Sequence, residues 1–280
     1  MAALITRFAP SPTGPLHLGH AFSALTAFDL ATSSGGQFLL RIEDIDAPRC
    51  KPEFVTQIYE DLAWLGLDWT RPVMHQRDRQ PAYDAALAQL EALGVTYACT
   101  CQRRDIRQAL TAPQEGVALV GPDGPIYPSL CRNKKNPREG AAIRLNMTAA
   151  TQLTGAVTIR ETGPLHSGPH TYTPEWLRDH IGDVVLARRD IGTSYHLSVT
   201  IDDAAQGVTL VVRGEDLFSA TPVHAVLQRL FDLPAPAYHH HRLIRDNAGK
   251  RLAKRDDSRA LSLYRSDGAT PADIRRILGL

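Results

Sequence analysis

The sequence predicts an α/β protein built on a mainly parallel sheet. Short runs of strand character alternate with stretches whose apolar residues recur at helical spacing, and this order begins at the amino terminus. A Pro- and Gly-rich loop separates the first predicted strand from the first predicted helix. Hydrophobic residues make up 43% of the 280 residues, so we expect a globular chain of one large or two small domains.

The predicted elements divide the chain into a main domain, an insertion and a tail. The predicted strands cover residues 6–9, 37–42, 141–145, 184–187 and 208–213, and the predicted helices cover residues 18–31, 53–65, 79–93 and 222–231. Between Cys99 and Arg138 the periodicity disappears, which predicts an insertion that leaves the sheet. After the Pro-rich LPAPAY stretch we expect a basic, mostly helical region. The expected boundaries are 1–98 and 139–234 for the two halves of the main domain, 99–138 for the insertion and 235–280 for the carboxyl-terminal region.

The charge distribution favours a phosphate-bearing partner without requiring one. The 31 basic and 30 acidic residues nearly cancel, so no global field marks the chain as a nucleic-acid binder. Locally, residues 101–138 hold seven basic and three acidic residues, and residues 242–280 hold ten and five. Such regions bind phosphates in many proteins, but they are as often solvated faces.

The sequence carries no sign of export or of a membrane span. Its first residues, MAALITRFAPSP, lack a charged-then-apolar signal sequence, and it contains no run of 18 apolar residues. We therefore expect a cytoplasmic protein without a membrane partner.

The segment SPTGPLHLGH predicts a nucleotide-binding loop. Its glycines and prolines hold the backbone in a tight turn, and His17 and His20 lie three residues apart where the first helix begins, so both face the same way. A helix amino terminus attracts phosphate because its N–H groups are unpaired and carry a partial positive charge. Imidazoles at this place can donate hydrogen bonds to a triphosphate. Taken alone, however, two such histidines more often cap the helix or fill a core.

Two longer segments, RFAPSPTGPLHLGH and LLRIEDID, resemble those of the class I aminoacyl-tRNA synthetases, in particular the glutamyl branch. The resemblance implies a Rossmann-like catalytic core in which a His-x-Gly-His motif binds ATP, with Mg²⁺ held largely by phosphate oxygens and water. That family also has a Lys-Met-Ser-Lys-Ser loop, and residues 251–255, RLAKR, are similar to it, although Ala253 lacks the serine hydroxyl. The implied ATP-binding residues are His17, Gly19, His20, Arg251, Leu252 and Lys254, of which His17, His20 and Lys254 are the implied catalytic residues.

A glutamate substrate needs a cation for its side-chain carboxylate and an acceptor for its ammonium group. Arg7, Ser11 and Glu43 can meet these needs, because they lie at the ends of the first two predicted strands, where parallel sheets bind ligands. The segment TSYHLSVTIDDAAQGVTLVVRGED resembles a second substrate-binding stretch of glutamyl enzymes. The glutamate-binding residues expected from both segments are Arg7, Phe8, Ala9, Pro10, Ser11, Glu43, Tyr195 and Arg213.

Two arginines suit a carboxylate because a planar guanidinium binds both oxygens at once. Adenylation requires no covalent enzyme intermediate, so this kind of site acts by positioning and charge stabilisation. An alternative interpretation of RIEDID is that its acidic residues only form ion pairs with Arg41 and Arg49.

Three of the four cysteines predict a metal site in the insertion. Cys99, Cys101 and Cys131, together with Tyr127, supply three thiols and a phenol, enough for one tetrahedral structural Zn²⁺. Spacing alone is equally consistent with three reduced, partly buried cysteines. A subgroup of the glutamyl family carries Cys-x-Cys followed by Tyr-x-x-x-Cys, and this resemblance favours zinc. Cys50 is unrelated to the cluster.

The chain stops soon after RLAKR, so we expect no room for the region with which charging enzymes read an anticodon. Such a short form with a cysteine cluster resembles the glutamyl-queuosine tRNA(Asp) synthetase family. The resemblance implies activation of L-glutamate with ATP in the absence of tRNA, then transfer of glutamate to the queuosine base in the anticodon of tRNA(Asp). The anticodon stem-loop is then expected to enter the catalytic cleft of a monomer, guided by the basic tail and the insertion.

Three alternatives remain open at this point. The first is a minimal glutamyl-tRNA synthetase that charges a tRNA 3′ end with the help of a partner chain. The second is a nucleotidyltransferase with the same His-x-Gly-His loop, which would leave RIEDID and VVRGED unexplained. The third is a non-catalytic RNA-binding paralogue, for which the altered RLAKR segment is the only argument.

Overall fold

The computed structural model describes residues 3–111, 120–245 and 259–280. Their strands are β1 (Ile5–Phe8), β2 (Gln37–Ile42), β3 (Thr70–His75), β4 (Thr96–Cys99), β5 (Val120–Gly121), β6 (Gly124–Pro125), β7 (Ala142–Leu145), β8 (Val157–Glu161), β9 (Gly168–Tyr172), β10 (Val185–Ala187), β11 (Leu210–Gly214) and β12 (Ala237–His241). Their helices are α1 (Leu18–Ser33), α2 (Pro52–Trp64), α3 (Gln80–Ala92), α4 (Arg103–Thr111), α5 (Met147–Thr154), α6 (Pro174–His180), α7 (Tyr195–Ala205), α8 (Thr221–Leu230), α9 (Leu261–Ser266) and α10 (Pro271–Leu278). Every predicted strand and helix has a counterpart, while the RLAKR segment lies outside the described residues.

The main sheet is parallel, as predicted. Strands β1, β2 and β3 form one parallel group, and β11, β12 and β8 form another, with β9 antiparallel at its edge. Strand β1 contacts β11, and the backbone N–H of Thr209 donates to the carbonyl of Ile5 at 3.0 Å. The carboxyl ends of β1 and β11 therefore lie side by side, which is where parallel α/β sheets bind their ligands.

The structure contains two features that the sequence analysis did not predict. The strands expected at 141–145 and 184–187 form, but they lie in a separate three-stranded sheet in which β7 pairs antiparallel with β10 on one side and with β4 on the other. An apolar alternation identifies a strand but not its partner, and β4 had not been predicted. The carboxyl-terminal region, expected to be mostly helical, also contains the strand β12, whose sequence AYHHH forms part of the main sheet.

Two hydrophobic cores hold the helices against the sheets. One packs α1 and α2 with the carboxyl-terminal helices α9 and α10, and the other packs α3 with α5 to α8. Helix α1 fits its position because its small alanines, including Ala21, Ala24 and Ala27, are fully buried against the sheet. With 16 residues it is the longest helix in these ranges, and none of the described helices has the length and apolarity needed to cross a bilayer.

Candidate active site

One cavity brings the predicted ATP and glutamate residues together. It has a volume of about 440 Å³ and lies at the carboxyl ends of β1 and β11. All predicted residues of these two sites that the structure describes line it, namely Arg7, Phe8, Ala9, Pro10, Ser11, His17, Gly19, His20, Glu43, Tyr195 and Arg213. The lining also includes Asp216 and Arg242. Cationic and anionic groups therefore share the cavity wall, as a zwitterionic ligand requires.

The two histidines of the loop cap α1. His17 is the N-cap residue, and its Nδ1 accepts the backbone N–H of Gly19 at 3.1 Å. The Nδ1 of His20 accepts the backbone N–H of His17 at 3.2 Å, and the two ring centroids lie 3.8 Å apart. The two rings face the same way, as predicted, and both histidines also cap the helix. Because each Nδ1 accepts a hydrogen bond, the proton of each neutral ring is on Nε2, the atom that can donate to an anion.

Gly19 is the residue that this cap requires. A Cβ atom at this position would lie 3.0 Å from Cε1 and 3.1 Å from Nδ1 of His17. Larger residues would therefore push the His17 ring away from the helix terminus. The glycine of the His-x-Gly-His pattern thus keeps the first histidine in its place on the cavity wall.

A buried charge cluster lies behind the glutamate end of the cavity. Asp203 Oδ1 accepts from Arg7 Nε at 2.9 Å and from Arg41 NH1 at 2.7 Å. Arg41 also contacts Glu43 Oε1 at 3.1 Å. The ion pairs of the alternative interpretation are therefore observed for Glu43 and Asp46, whereas Asp44 contacts His75, and Glu43 still lines the cavity. Burial raises the pKa of Glu43, although Arg41 and Arg7 oppose this.

The guanidinium of Arg213 is held by five acceptors. Its Nε donates to His240 Nε2 at 3.0 Å, and NH1 donates to Tyr195 Oη and to His224 Nδ1, both at 3.2 Å. NH2 donates to the carbonyl of Leu217 at 3.3 Å and to Thr221 Oγ1 at 2.8 Å. Since Arg has five N–H groups, all of them have a partner.

This arrangement differs from the expectation that the guanidinium of Arg213 binds both oxygens of a carboxylate at once. Of the five partners, Tyr195 and Leu217 line the cavity, whereas His224, His240 and Thr221 are buried behind it. A carboxylate in the cavity would therefore meet the N–H shared with Tyr195, together with the Tyr195 hydroxyl. The N–H groups of Arg7 are also engaged within the protein. Its Nε and NH2 donate to Asp203, and its NH1 donates to the carbonyl of Val212.

The described residues on both sides of 246–258 lie at the nucleotide end of the cavity. Ile244 lines the cavity, and Ala260 pairs with His17 across an isolated β-bridge. The backbone N–H of Leu261 also donates to the carbonyl of Leu16 at 2.8 Å. The chain segments that enter and leave the RLAKR region are thus anchored beside the predicted ATP loop.

The cysteines predicted as metal ligands form a compact cluster. The sulfur atoms of Cys99, Cys101 and Cys131 lie within 4.8 Å of one another. Tyr127 Oη lies 3.4 Å from Sγ of Cys99 and 3.4 Å from Sγ of Cys101. These four residues are the ones predicted, and the three thiols can hold a metal ion.

Charged neighbours support this cluster. The guanidinium of Arg144 lies 3.8 Å from the ring centroid of Tyr127, and Asp183 accepts from Arg132, the residue after Cys131, at 2.9 and 3.0 Å. Burial would raise the pKa of the Cys131 thiol, but hydrogen bonds from Tyr127 and nearby groups lower it to about 6. A thiolate is the form that binds a metal.

A second, larger pocket adjoins the first. Its volume is about 840 Å³, and it shares Ser11, Thr13, Glu43 and Tyr195 with the first cavity. Its other lining residues include four arginines that were not predicted as site residues, Arg49, Arg103, Arg188 and Arg189. The guanidinium of Arg189 also donates to the carbonyls of Cys99 and Cys101, so the pocket extends from the glutamate end to the cysteine cluster.

Sequence reasoning missed the residues that support the site from behind. Asp203 could have been placed near the site from the sequence, because it lies eight residues after Tyr195 and thus on the same face of α7. No sequence pattern indicated a role for His224 or His240, since the sequences around them are those of an ordinary helix and an ordinary strand.

Comparison with known proteins identifies the family. Residues 3–280 match the family described as tRNA synthetases class I (E and Q), catalytic domain. A glutamyl-Q tRNA(Asp) synthetase of Rhodobacter capsulatus is 61% identical over 282 residues, which cover 99% of this chain and all of the relative. The chain belongs to this class I synthetase family, among the glutamyl-Q tRNA(Asp) synthetases. Another of these, from Geobacter sulfurreducens, is 42% identical over 99% of this chain and 84% of its own length.

Solved structures of class I synthetases have the same architecture. A glutamate-tRNA synthetase from Elizabethkingia anophelis matches 90% of this chain with a TM-score of 0.71 at 27% identity. A glutamate tRNA ligase from Elizabethkingia meningosepticum, in complex with its amino acid, matches 91% with a TM-score of 0.71 at 28% identity. The chain spans about half the length of these two enzymes, 53% and 52%. The predicted class I synthetase catalytic fold is thereby confirmed.

Proposed function

We propose that this chain activates L-glutamate with ATP, without tRNA, and transfers it to the queuosine base in the anticodon of tRNA(Asp). The observation that carries the proposal is the convergence of the predicted ATP and glutamate residues on one cavity. Membership among the glutamyl-Q tRNA(Asp) synthetases supports the choice of both substrate and acceptor.

At the glutamate end, each group of the substrate has a matching partner. The side-chain carboxylate is bound by Arg213 and the Tyr195 hydroxyl, with Arg7 adding positive charge. The ammonium group is bound by Glu43, whose side chain is 11% exposed. The backbone of Phe8, Ala9 and Pro10, with Ser11, forms the wall at the end of β1. The α-carboxylate then remains available to attack the α-phosphorus of ATP, and pyrophosphate leaves.

At the nucleotide end, the amino terminus of α1 binds the phosphates. The Nε2–H groups of His17 and His20 donate to phosphate oxygens as negative charge builds up during attack. Lys254 neutralises the departing pyrophosphate, Arg251 adds a second positive charge, and Leu252 is a further ATP-binding residue of the same segment. This role rests on the resemblance of RLAKR and on the anchoring of Ile244 and Ala260 beside the ATP loop. Mg²⁺ enters with ATP, bound mainly by its phosphates.

The second pocket is the proposed entry for the anticodon loop. Arg103 and Arg189 on its wall can contact RNA phosphates, whereas Arg49 and Arg188 form ion pairs with Asp46 and Asp190. Its volume of about 840 Å³ suits a nucleotide. It meets the glutamate end at Ser11, Glu43 and Tyr195, where the adenylate would have to be attacked. A pocket beside the adenylate site, lined by four arginines and by four acidic residues, thus offers room for an RNA base. The domain boundaries and the monomeric state stay predictions.

The acceptor is tested by incubating the protein with radiolabelled glutamate, ATP and tRNA from cells with and without queuosine. Because a glutamate ester can form at the 3′ end or in the anticodon, the labelled tRNA is digested and the label is mapped to one fragment. We expect label only on the anticodon fragment of queuosine-containing tRNA(Asp). Label at the 3′ end of a tRNA, irrespective of queuosine, would make the chain a minimal charging enzyme instead.

We further propose one structural Zn²⁺ bound by Cys99, Cys101, Cys131 and Tyr127. The clustering of the three thiols supports this, and the Tyr127 hydroxyl, 3.4 Å from the sulfurs of Cys99 and Cys101, is close enough to be the fourth ligand. Measurement of metal content should give one zinc per chain. We expect Cys131→Ser to abolish stoichiometric zinc and Tyr127→Phe to weaken zinc binding.

The matched control is Cys50→Ser, since Cys50 is a cysteine that lies outside the cluster. It should retain full zinc. If wild-type protein expressed in zinc-supplemented medium holds no metal, or if Cys131→Ser holds as much as wild type, the zinc proposal is wrong.

A further inference from the structure

Two buried histidines connect Arg213 with a hairpin of the insertion, formed by β5, β6 and the turn between them. The carboxylate of Asp123 in the turn lies 3.0 Å from His196 Nε2. His196 Nδ1 lies 3.2 Å from His224 Nε2, and His224 Nδ1 lies 3.2 Å from NH1 of Arg213. His196 and His224 are 4% and 3% exposed. An unbroken line of hydrogen bonds therefore runs from the protein surface to the glutamate end of the cavity.

The direction of each hydrogen bond follows from the chemistry of its ends. An arginine can only donate, so His224 Nδ1 must accept, and the proton of the neutral ring is on Nε2. That proton is donated to His196 Nδ1, which places the proton of His196 on its own Nε2. His196 then donates to the carboxylate of Asp123, which can only accept. One consistent assignment satisfies all three contacts.

On the other side of Arg213, His240 has the opposite tautomer. Its Nε2 accepts from Arg213 Nε, so its proton is on Nδ1, which donates to Glu161. Burial lowers the pKa of His240 and also that of His224, where the charge of Arg213 adds to the effect. Both histidines beside the arginine therefore stay neutral, and each serves as an acceptor.

We propose that His224 and His196 are positioning residues for Arg213 and that Asp123 anchors them, so that the insertion hairpin sets the affinity for glutamate. The contact between His224 and NH1 is the decisive one, because NH1 also provides the N–H shared with Tyr195 at the cavity. If His224 cannot accept, NH1 loses its buried partner and the guanidinium turns toward other acceptors in the cavity. This inference rests on the proposed glutamate site.

Kinetics of glutamate-dependent pyrophosphate exchange test the proposal with two variants of one residue. His224→Gln can still accept from Arg213 and donate to His196, whereas His224→Phe fills similar space and can do neither. We expect His224→Phe to raise the KM for glutamate about tenfold or more, with kcat and the KM for ATP close to wild type. His224→Gln should stay within about threefold of wild type, since it keeps both hydrogen bonds.

The anchor is tested by Asp123→Ala, which should raise the KM for glutamate about threefold. Its side chain is 56% exposed, so its removal should leave the fold intact. The exposed His180 provides the control, because it stacks on Trp176 away from Arg213, and His180→Phe should behave as wild type. A wild-type KM in folded His224→Phe, or an equal defect in His224→Gln and His224→Phe, would overturn the proposal.

The tautomers provide a readout that does not depend on activity. In ¹⁵N-histidine-labelled protein, two-bond NMR correlations should place the proton of His196 and His224 on Nε2 and that of His240 on Nδ1. A proton on Nδ1 of His224 would exclude the relay even if the kinetics followed expectation. Absence of glutamate-dependent exchange in the wild type, with the NMR pattern as expected, would instead refute the proposed function and leave the hydrogen-bond chain standing.

Discussion

Substitution of Arg213 by alanine is expected to raise the KM for glutamate by a factor of roughly 30 or more. Truncating one partner of a buried charge-assisted contact costs about 2–5 kcal/mol, and each 1.4 kcal/mol corresponds to a factor of ten. The KM for ATP should change little, because the nucleotide end of the cavity is formed by α1 and not by β11. Pyrophosphate exchange at varied glutamate and ATP concentrations measures both constants.

The control for this variant is Arg229→Ala. Arg229 is an exposed arginine of α8, the helix that carries His224, so it matches Arg213 in residue type but does not line the cavity. It should leave both KM values unchanged. An unchanged KM for glutamate in Arg213→Ala, with the protein folded, would remove Arg213 from the glutamate site.

Substitution of Asp203 by alanine is expected to lower the free energy of unfolding by about 3–5 kcal/mol, since it leaves buried arginine charge without its counter-ion. Arg41 is fully buried and Arg7 is 4% exposed, and both bind Asp203. The thermal midpoint should fall by roughly 10 °C for a domain of this size. Circular dichroism during thermal and urea denaturation measures the change.

Asp190→Ala is the matched control, because Asp190 also pairs with an arginine, Arg188, but its side chain is 63% exposed. Exposed ion pairs contribute little to stability, so its midpoint should not move measurably. Equal midpoints for Asp203→Ala and wild type would show that the cluster does not stabilise the fold.

The same cluster predicts a dependence of stability on pH. Burial would raise the pKa of Asp203, but the charges of Arg7 and Arg41 bring it below its usual value. A carboxyl group whose folded pKa is lowered stabilises the protein above its unfolded pKa of about 4, and this stability is lost as the pH falls through the folded value. We expect the free energy of unfolding of Asp203→Asn to fall less than that of the wild type as the pH is lowered through this range.

The outline of the fold could be predicted because it depends on local patterns, whereas the composition of the site also required the resemblance to glutamyl synthetases. Apolar periodicity identified the strands and helices, and the loop before α1 placed His17 and His20 at a helix terminus. Residues at the ends of β1 and β2 were expected together, since carboxyl ends of parallel strands share one edge, and Arg213 was added by the resemblance to glutamyl enzymes. In the structure Arg7, Glu43 and Arg213 line one cavity.

The supporting contacts could not be predicted because they depend on distant pairings. Asp203 binds Arg7 across 196 residues, and His240 meets Arg213 only because β11 and β12 lie side by side. The separate antiparallel sheet was missed for the same reason, since nothing in the sequence of β7 indicates that its partners are β4 and β10. Alternation of residues reveals that a strand is buried, whereas its neighbours follow from the whole fold.

The most direct test of the central claim is exchange of radiolabelled pyrophosphate into ATP by the purified protein, with glutamate present and tRNA absent. Formation of glutamyl-adenylate is reversible, so the account predicts exchange that requires glutamate and is not supported by aspartate or glutamine. Exchange that appears only when tRNA is added would contradict activation without tRNA. Failure to exchange with glutamate under any condition would show that the cavity does not activate this amino acid.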